Sequence, residues 1–209
     1  MKNLIKPAWR LAQENRRAYI VINILYYGLV IICMIYVAFN QDLQQSLMDE
    51  IGAAFMTGPL SFVGQAYVNA KVFTAILATF FVNLLIGSFA SITLPSLVIP
   101  FSGLLVGIYR AILWGLLLSP ANPDLRLAMI PHSITLIIEG QAYILTMLAA
   151  YIQGCAFLWP KSVGLESRAK GYLEGFKRTG KLYLLIILTL AIAAIYEVIE
   201  VVIMVKFFP

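Results

Sequence analysis

From Tyr19 to Phe39 the chain carries no charged side chain for about 20 residues, enough for a helix to cross the hydrocarbon core of a bilayer. Four further apolar stretches, residues 72–93, 97–118, 130–158 and 182–205, have comparable length. In lipid a single segment can satisfy its backbone polar groups only as a helix. The expected fold is therefore all-α, a polytopic membrane helix bundle of about five transmembrane helices forming a single membrane domain over residues 1–209. Composition agrees, with 61% hydrophobic residues, 12% charged residues and a mean hydropathy of +0.88. Soluble chains are nearer half apolar and a quarter charged.

Between these stretches the sequence alternates in charge. Residues 1–18 hold Lys2, Lys6, Arg10, Arg16 and Arg17 against the single acid Glu14. Ile5, Ala8, Trp9 and Ala12 recur at helical spacing, which predicts an amphipathic helix on the membrane surface. The apolar run after it is too long for a cleaved signal peptide, and no small-residue cleavage site follows. Residues 41–50 are polar and acidic, with Asp42, Asp49 and Glu50. Residues 51–70 are uncharged but interrupted by Gly52, Gly58, Pro59 and Gly64, so a re-entrant or interfacial segment is expected. Pro95 and Pro100 mark a tight connection, and Pro120, Asn122 and Pro123 a loop over 119–126. Residues 160–181 form a second basic amphipathic segment, with Leu165, Ala169, Tyr172 and Phe176 along one side.

Basic residues concentrate before the first apolar stretch and after the fourth. The positive-inside rule then places the amino terminus in the cytoplasm and the carboxyl terminus outside the cell membrane. That distribution accounts for the net charge of +5 without nucleic acid. Trp9, Trp114 and Trp159 suit interface anchors. Cys33 and Cys155 lie in apolar stretches and read as small buried hydrophobes rather than a disulfide or metal pair.

Ionisable residues inside the apolar stretches cost about 2.5–3.5 kcal/mol each on insertion scales and so need a reason. They are Arg110, Glu139, Glu197 and Glu200, with His132 near the start of the fourth stretch and Asn83 inside the second. Measured from the outer helix ends at about 1.5 Å per residue, Arg110 and Glu197 lie roughly 12 Å deep, Glu139 roughly 13 Å and Glu200 roughly 8 Å. A shared layer in the outer half of the bilayer is expected, with Arg110 neutralising one or more glutamates. A buried Arg–Glu pair is also often no more than a register device between helices. Taken singly, Glu200 reads as solvated near the headgroups, and His132 as a helix-start residue bonded locally. Gly103 and Gly107 form a Gly-x-x-x-Gly pair that permits close helix packing.

The step Pro131-His132-Ser133, followed by Glu139, resembles the signature of the stage II sporulation protein M family, with Ser133 at the glycine position. Phe81-Val82-Asn83, Gly87 and Ser102-Gly103-Leu104-Leu105-Val106-Gly107 resemble its upstream pattern, with Ser102 at the asparagine position. Ile192-Ala193-Ala194-Ile195-Tyr196-Glu197 resembles its closing alanine-rich segment. The likeness covers roughly residues 70–205. It implies a membrane scaffold or assembly factor that works beside cell-envelope proteins.

Two functions follow as expectations. A non-enzymatic scaffold in the bilayer would use membrane or cell-envelope partners, or a homodimer through the Gly103/Gly107 face. A transporter or channel-like protein would pass a cation or proton along the acidic layer. An enzyme is not expected. There is one histidine and no His-Glu-x-x-His motif, and Ser133 and His132, as helix neighbours, point about 100° apart. No metal or cofactor is expected.

Overall fold

The computed structural model describes residues 2–58, 60–69 and 71–207, so Pro59 and Ala70 of the interrupted segment lie outside the described residues. Among the described residues it is all-helical with no strand. We number the helices α1 (Lys2–Glu14), α2 (Arg16–Ala38), α3 (Gln41–Met56), α4 (Ser61–Val68), α5 (Val72–Val98), α6 (Ser102–Leu117), α7 (Met129–Leu158) and α8 (Arg168–Phe207).

Four of them, α2, α5, α7 and α8, are long and apolar enough to cross a membrane. The apolar helix α6 has 16 residues, about 24 Å at 1.5 Å per residue, which is shorter than the hydrocarbon core. Its start explains the difference from the expected stretch over 97–118. Pro100 forces the preceding Ile99 into an extended conformation (φ −118°, ψ 107°), which ends α5 at Val98. Phe101 then turns the chain through the left-handed region at φ 68°, and α6 can begin only at Ser102. Pro95 does not break α5. Over Val82–Thr93 the helix is underwound to i→i+5 hydrogen bonding, and Pro95 falls in the first turn of the α-helical piece that follows.

The interrupted region 51–70 and the acidic region before it fold together as the hairpin α3–α4. At 16 and 8 residues, neither helix is long enough to span. Gln44 of α3 closes the end of α6, its Nε2 donating to the Leu117 and Ser119 carbonyls at 2.9 and 3.0 Å. Those carbonyls would otherwise be orphaned at a helix terminus.

The centre of the fold is α7, which packs against α2, α5, α6 and α8. Ala142 through Ala150 are all buried, more than two helical turns enclosed on every side. Enclosure at this distance needs small residues where the helices cross. A Cβ at Gly107 would run into the Met147 side chain, and one at Gly103 into the Ile92 carbonyl and the Ser96 hydroxyl. The Gly103 N–H donates to Ser96 Oγ at 2.8 Å. The Gly-x-x-x-Gly face is thus filled from within the chain and is not free for a second copy. Gly115 likewise lies against the Val30 carbonyl and Cys33 of α2.

At the two basic segments the structure departs from the expectation. Residues 160–181 do not make a separate surface helix. Pro160–Val163 form one tight turn, and from Arg168 onward charged and apolar sections belong to one unbroken helix of 40 residues. Its charged part packs on α7, with Gly171 against the Ala156 carbonyl and Gly175 against Gln153. Nor does α1 turn its apolar face to lipid. Ala8, Leu11 and Ala12 are buried, and α1 packs against α8. Trp9, counted in that apolar stripe, is instead 58% exposed. The stripe that wins is Ala8–Leu11–Ala12, because helical residues three and four apart share a face.

The backbone at Val30 cannot yield to a side chain at position 115. Gly115→Leu should lower the unfolding free energy by roughly 1–3 kcal/mol, as overpacking does. Gly28→Ala has nothing within 4 Å of the added carbon and should leave stability unchanged or slightly raised. Thermal unfolding midpoints of the two variants in detergent check this contrast.

Candidate functional site

A cleft of about 770 Å³ opens between the α3–α4 hairpin and helices α5 to α8. Its walls are mostly apolar, with Ile51, Phe55, Ile86, Leu113 and Leu136 among them. Into it come Asn83 from α5, Arg110 from α6, His132 and Glu139 from α7, and Glu197 from α8. Five residues singled out in the sequence therefore meet in one space, although they stand on four helices. Glu200 does not line the cleft, and Gly103 and Gly107 serve the packing beneath it.

Arg110 is not paired in the expected way. Among the described residues no carboxylate lies within 4.0 Å of its guanidinium. The guanidinium stacks instead on Tyr143, its Cζ 4.1 Å from the ring centroid, a cation–π contact. Tyr143 is fully buried, and its hydroxyl donates to Glu139 Oε1 at 2.6 Å. The same hydroxyl lies 3.0 Å from Asn83 Oδ1. One hydroxyl proton serves one acceptor fully, and the shorter contact to Glu139 claims it. Turning the Asn83 amide so that its N–H donates to the hydroxyl oxygen then satisfies both groups. Cation and carboxylate are thus coupled through one aromatic side chain. Gly87 makes this possible, because a Cβ there would meet the Tyr143 hydroxyl and the Arg110 Nη1 at 2.8 and 3.2 Å.

Two further pairs flank that core. His132 Nδ1 bonds Glu200 Oε1, tying the start of α7 to α8 across 68 residues of sequence. Glu200 is 5% exposed, so it is not solvated, and His132 bonds across helices rather than locally. The other Glu200 oxygen, Oε2, is buried without a partner. On the opposite wall, Tyr67 of α4 approaches the Thr79 hydroxyl at 2.9 Å and donates a long bond to Glu197 Oε1 at 3.4 Å. Thr135, also lining the cleft, has a buried hydroxyl with no partner. Among the described residues no three His, Cys, Asp or Glu side chains group as a metal site would require.

Chemically, the cleft offers an apolar chamber in which one guanidinium, Arg110, and two carboxyl groups, Glu139 and Glu197, stand without an ion-pair partner within 4.0 Å among the described residues. Three carboxylates share the neighbourhood with one arginine and one histidine. Such a site can bind a polar group presented on an apolar scaffold, or a cation. The side chains that sequence reasoning missed are aromatic and hydroxylic: Tyr143, Tyr67 and Thr79. Tyr143 did carry a signal, since it follows the buried Glu139 by four residues and so shares its face. Tyr67 carried none, because its partners come from α5 and α8 through the fold. Comparison with known proteins gives no matching family model, no matching curated protein and no matching solved structure.

Tyr143→Phe keeps the ring beneath Arg110 but removes the hydroxyl, leaving a buried carboxylate without its donor. Stability should fall by about 1–3 kcal/mol. Tyr143→Leu, which also removes the cation–π contact, should fall further, by roughly 0.5–2 kcal/mol. Denaturation of the three proteins in one detergent tests the order wild type, Phe, Leu.

Proposed function

We propose that this chain is a non-enzymatic membrane assembly factor, of the kind the likeness to stage II sporulation protein M implies, and that the central cleft holds a transmembrane segment of a partner. The observation that carries the reading is a cleft of about 770 Å³ with apolar walls, lined by three ionisable groups without an ion-pair partner among the described residues, Arg110, Glu139 and Glu197. A partner helix with one or two polar residues among apolar ones would match such a surface on both counts. In this reading the chain has five spans. The short α6 is the third, packed against α2 and α7. The basic segments at α1 and the start of α8 favour a cytoplasmic amino terminus and an external carboxyl terminus in the cell membrane. Self-association, if the partner is a second copy, uses a surface other than the filled Gly103/Gly107 face.

A photo-crosslinking amino acid at Tyr109, which lines the cleft and is 61% exposed, should capture one partner in stoichiometric yield from native membranes. Arg110→Gln and Glu197→Gln should each reduce that yield by about tenfold, the effect of losing one buried charge contact. Recovery of uncrosslinked monomer alone would count decisively against an assembly role.

A second reading is favoured by the charge count around the cleft, in which Glu139, Glu197 and Glu200 outnumber Arg110 and His132. Surplus carboxylates at bilayer depth suit a cation or proton pathway. Purified protein in liposomes would then show flux above protein-free vesicles, abolished by Glu139→Gln and Glu197→Gln. Background flux from the wild type excludes it.

A further inference from the structure

A second cleft lies away from the first, between α1 and the charged section of α8, with a volume of about 420 Å³. Lys6 and Arg10 line it from α1, and Arg178 and Lys181 from α8, with Glu14 and Glu174 as the acids. The two helices are brought together by apolar packing. Ala8, Leu11 and Ala12 of α1 are buried, and Leu11 and Ala12 share a core with Leu182 and Ile186 of α8. That packing sets like charges face to face across the cleft. Arg178 Nε donates to Glu174 Oε1 at 2.9 Å, a bond that holds the Glu174 carboxyl below the usual carboxylate range and commits it to Arg178. Among the described residues Lys6, Arg10 and Lys181 have no carboxylate within 4.0 Å. The cleft therefore keeps unneutralised positive charge from two elements more than 160 residues apart.

Its level in the fold is defined by composition. Arg16 and Arg17 immediately precede the apolar run of α2 that begins near Tyr19, and Lys181 immediately precedes the apolar run of α8 that begins at Leu182. The cleft sits where both helices change from charged to apolar, which is where a bilayer places its headgroups. Trp9, on the same helix as Lys6 and Arg10, turns its ring outward at 58% exposure, as an interface anchor would.

We infer that the α1–α8 cleft binds the phosphate headgroup of an anionic phospholipid, which bridges cations of the two helices and holds α1 in its docked position. A phosphate presents several acceptor oxygens, enough to take Lys6 and Arg10 on one side and Lys181 on the other. The acyl chains of such a lipid would run along the apolar section of α8 below the cleft.

The test is native mass spectrometry of the full-length protein titrated with phosphatidylglycerol or phosphatidylcholine. One phosphatidylglycerol should be retained at roughly tenfold lower concentration than phosphatidylcholine, or lower still, because each headgroup-level cation attracts the lipid with net negative charge. Arg10→Gln with Lys181→Gln should remove that preference. Arg16→Gln with Arg17→Gln, at the same level but outside the cleft, should keep it. The Lys6→Gln variant alone, whose side chain is exposed, should weaken it and guards against misfolding of the double variant. Equal losses in both double variants would mean diffuse attraction and would overturn the site. So would equal retention of the two lipids. Displacement of the lipid by millimolar inorganic phosphate would assign the cleft to a free anion instead, and would overturn the lipid reading.

Discussion

Everything in this fold answers to the enclosure of α7. With Ala142 to Ala150 buried on all sides, the polar groups in and beside that stretch cannot turn to water and depend on partners within the protein. Glu139 is the most demanding of them, and the solution is a relay. Tyr143, one turn further along the same helix, donates to the carboxylate, and Arg110 lies over its ring. An aromatic intermediary keeps the two charges from collapsing into a closed pair. That arrangement leaves the guanidinium facing the cleft with hydrogen-bond donors to spare, where a direct ion pair would have bound them.

A second satisfied cluster shows how the same constraint builds ordinary structure. Gln141, on α7, accepts from the Tyr19 hydroxyl at 2.5 Å and donates to Asn23 Oδ1 at 2.7 Å and the Tyr27 hydroxyl at 3.1 Å. Tyr27 in turn donates to the Ile137 carbonyl at 2.8 Å. All of these partners belong to α2 and α7, they close on one another, and none of them lines either cleft. The contrast with the Arg110–Glu197 cleft is instructive. The Gln141 group is closed on itself, whereas at the cleft Glu197 has a single long bond and Thr135 has no partner among the described residues.

Much of this was legible in the sequence, and for a physical reason. Burying charge in lipid is expensive, so Arg110, Glu139, Glu197 and Glu200 stand out from their apolar surroundings, and depth counting along straight helices sets them in one layer, with His132 nearer its helix start. What could not be read was how each would be satisfied. The expected Arg110–carboxylate pair gave way to Tyr143, because a buried tyrosine among eleven tyrosines has no mark in sequence beyond its spacing from Glu139. Glu200 looked solvated because only its distance along α8 was available, not the approach of His132 from α7. Gly103 and Gly107 announced close packing but not the partner, since the same small residues serve an intramolecular crossing as well as a dimer. At α1, hydrophobic periodicity tolerated either Trp9 or Leu11 in the buried stripe, and packing against α8 decided for Leu11.

The two clefts are joined by α8. Its charged section carries Arg178 and Lys181 into one, and its apolar section carries Glu197 into the other, with Glu200 bonded to His132 one turn beyond. Between Lys181 and Glu197 the helix contains neither glycine nor proline, the residues at which helices bend sharply. It therefore runs unbroken from one cleft to the other. At one end α1 packs against it, and at the other it forms a wall of the central cleft. Leu182, Ile186 and Leu190 lie fully buried along the same stretch and share the core with α7, so between the two clefts the helix is keyed into its neighbours by large side chains, and the placing of Glu197 rests on that packing.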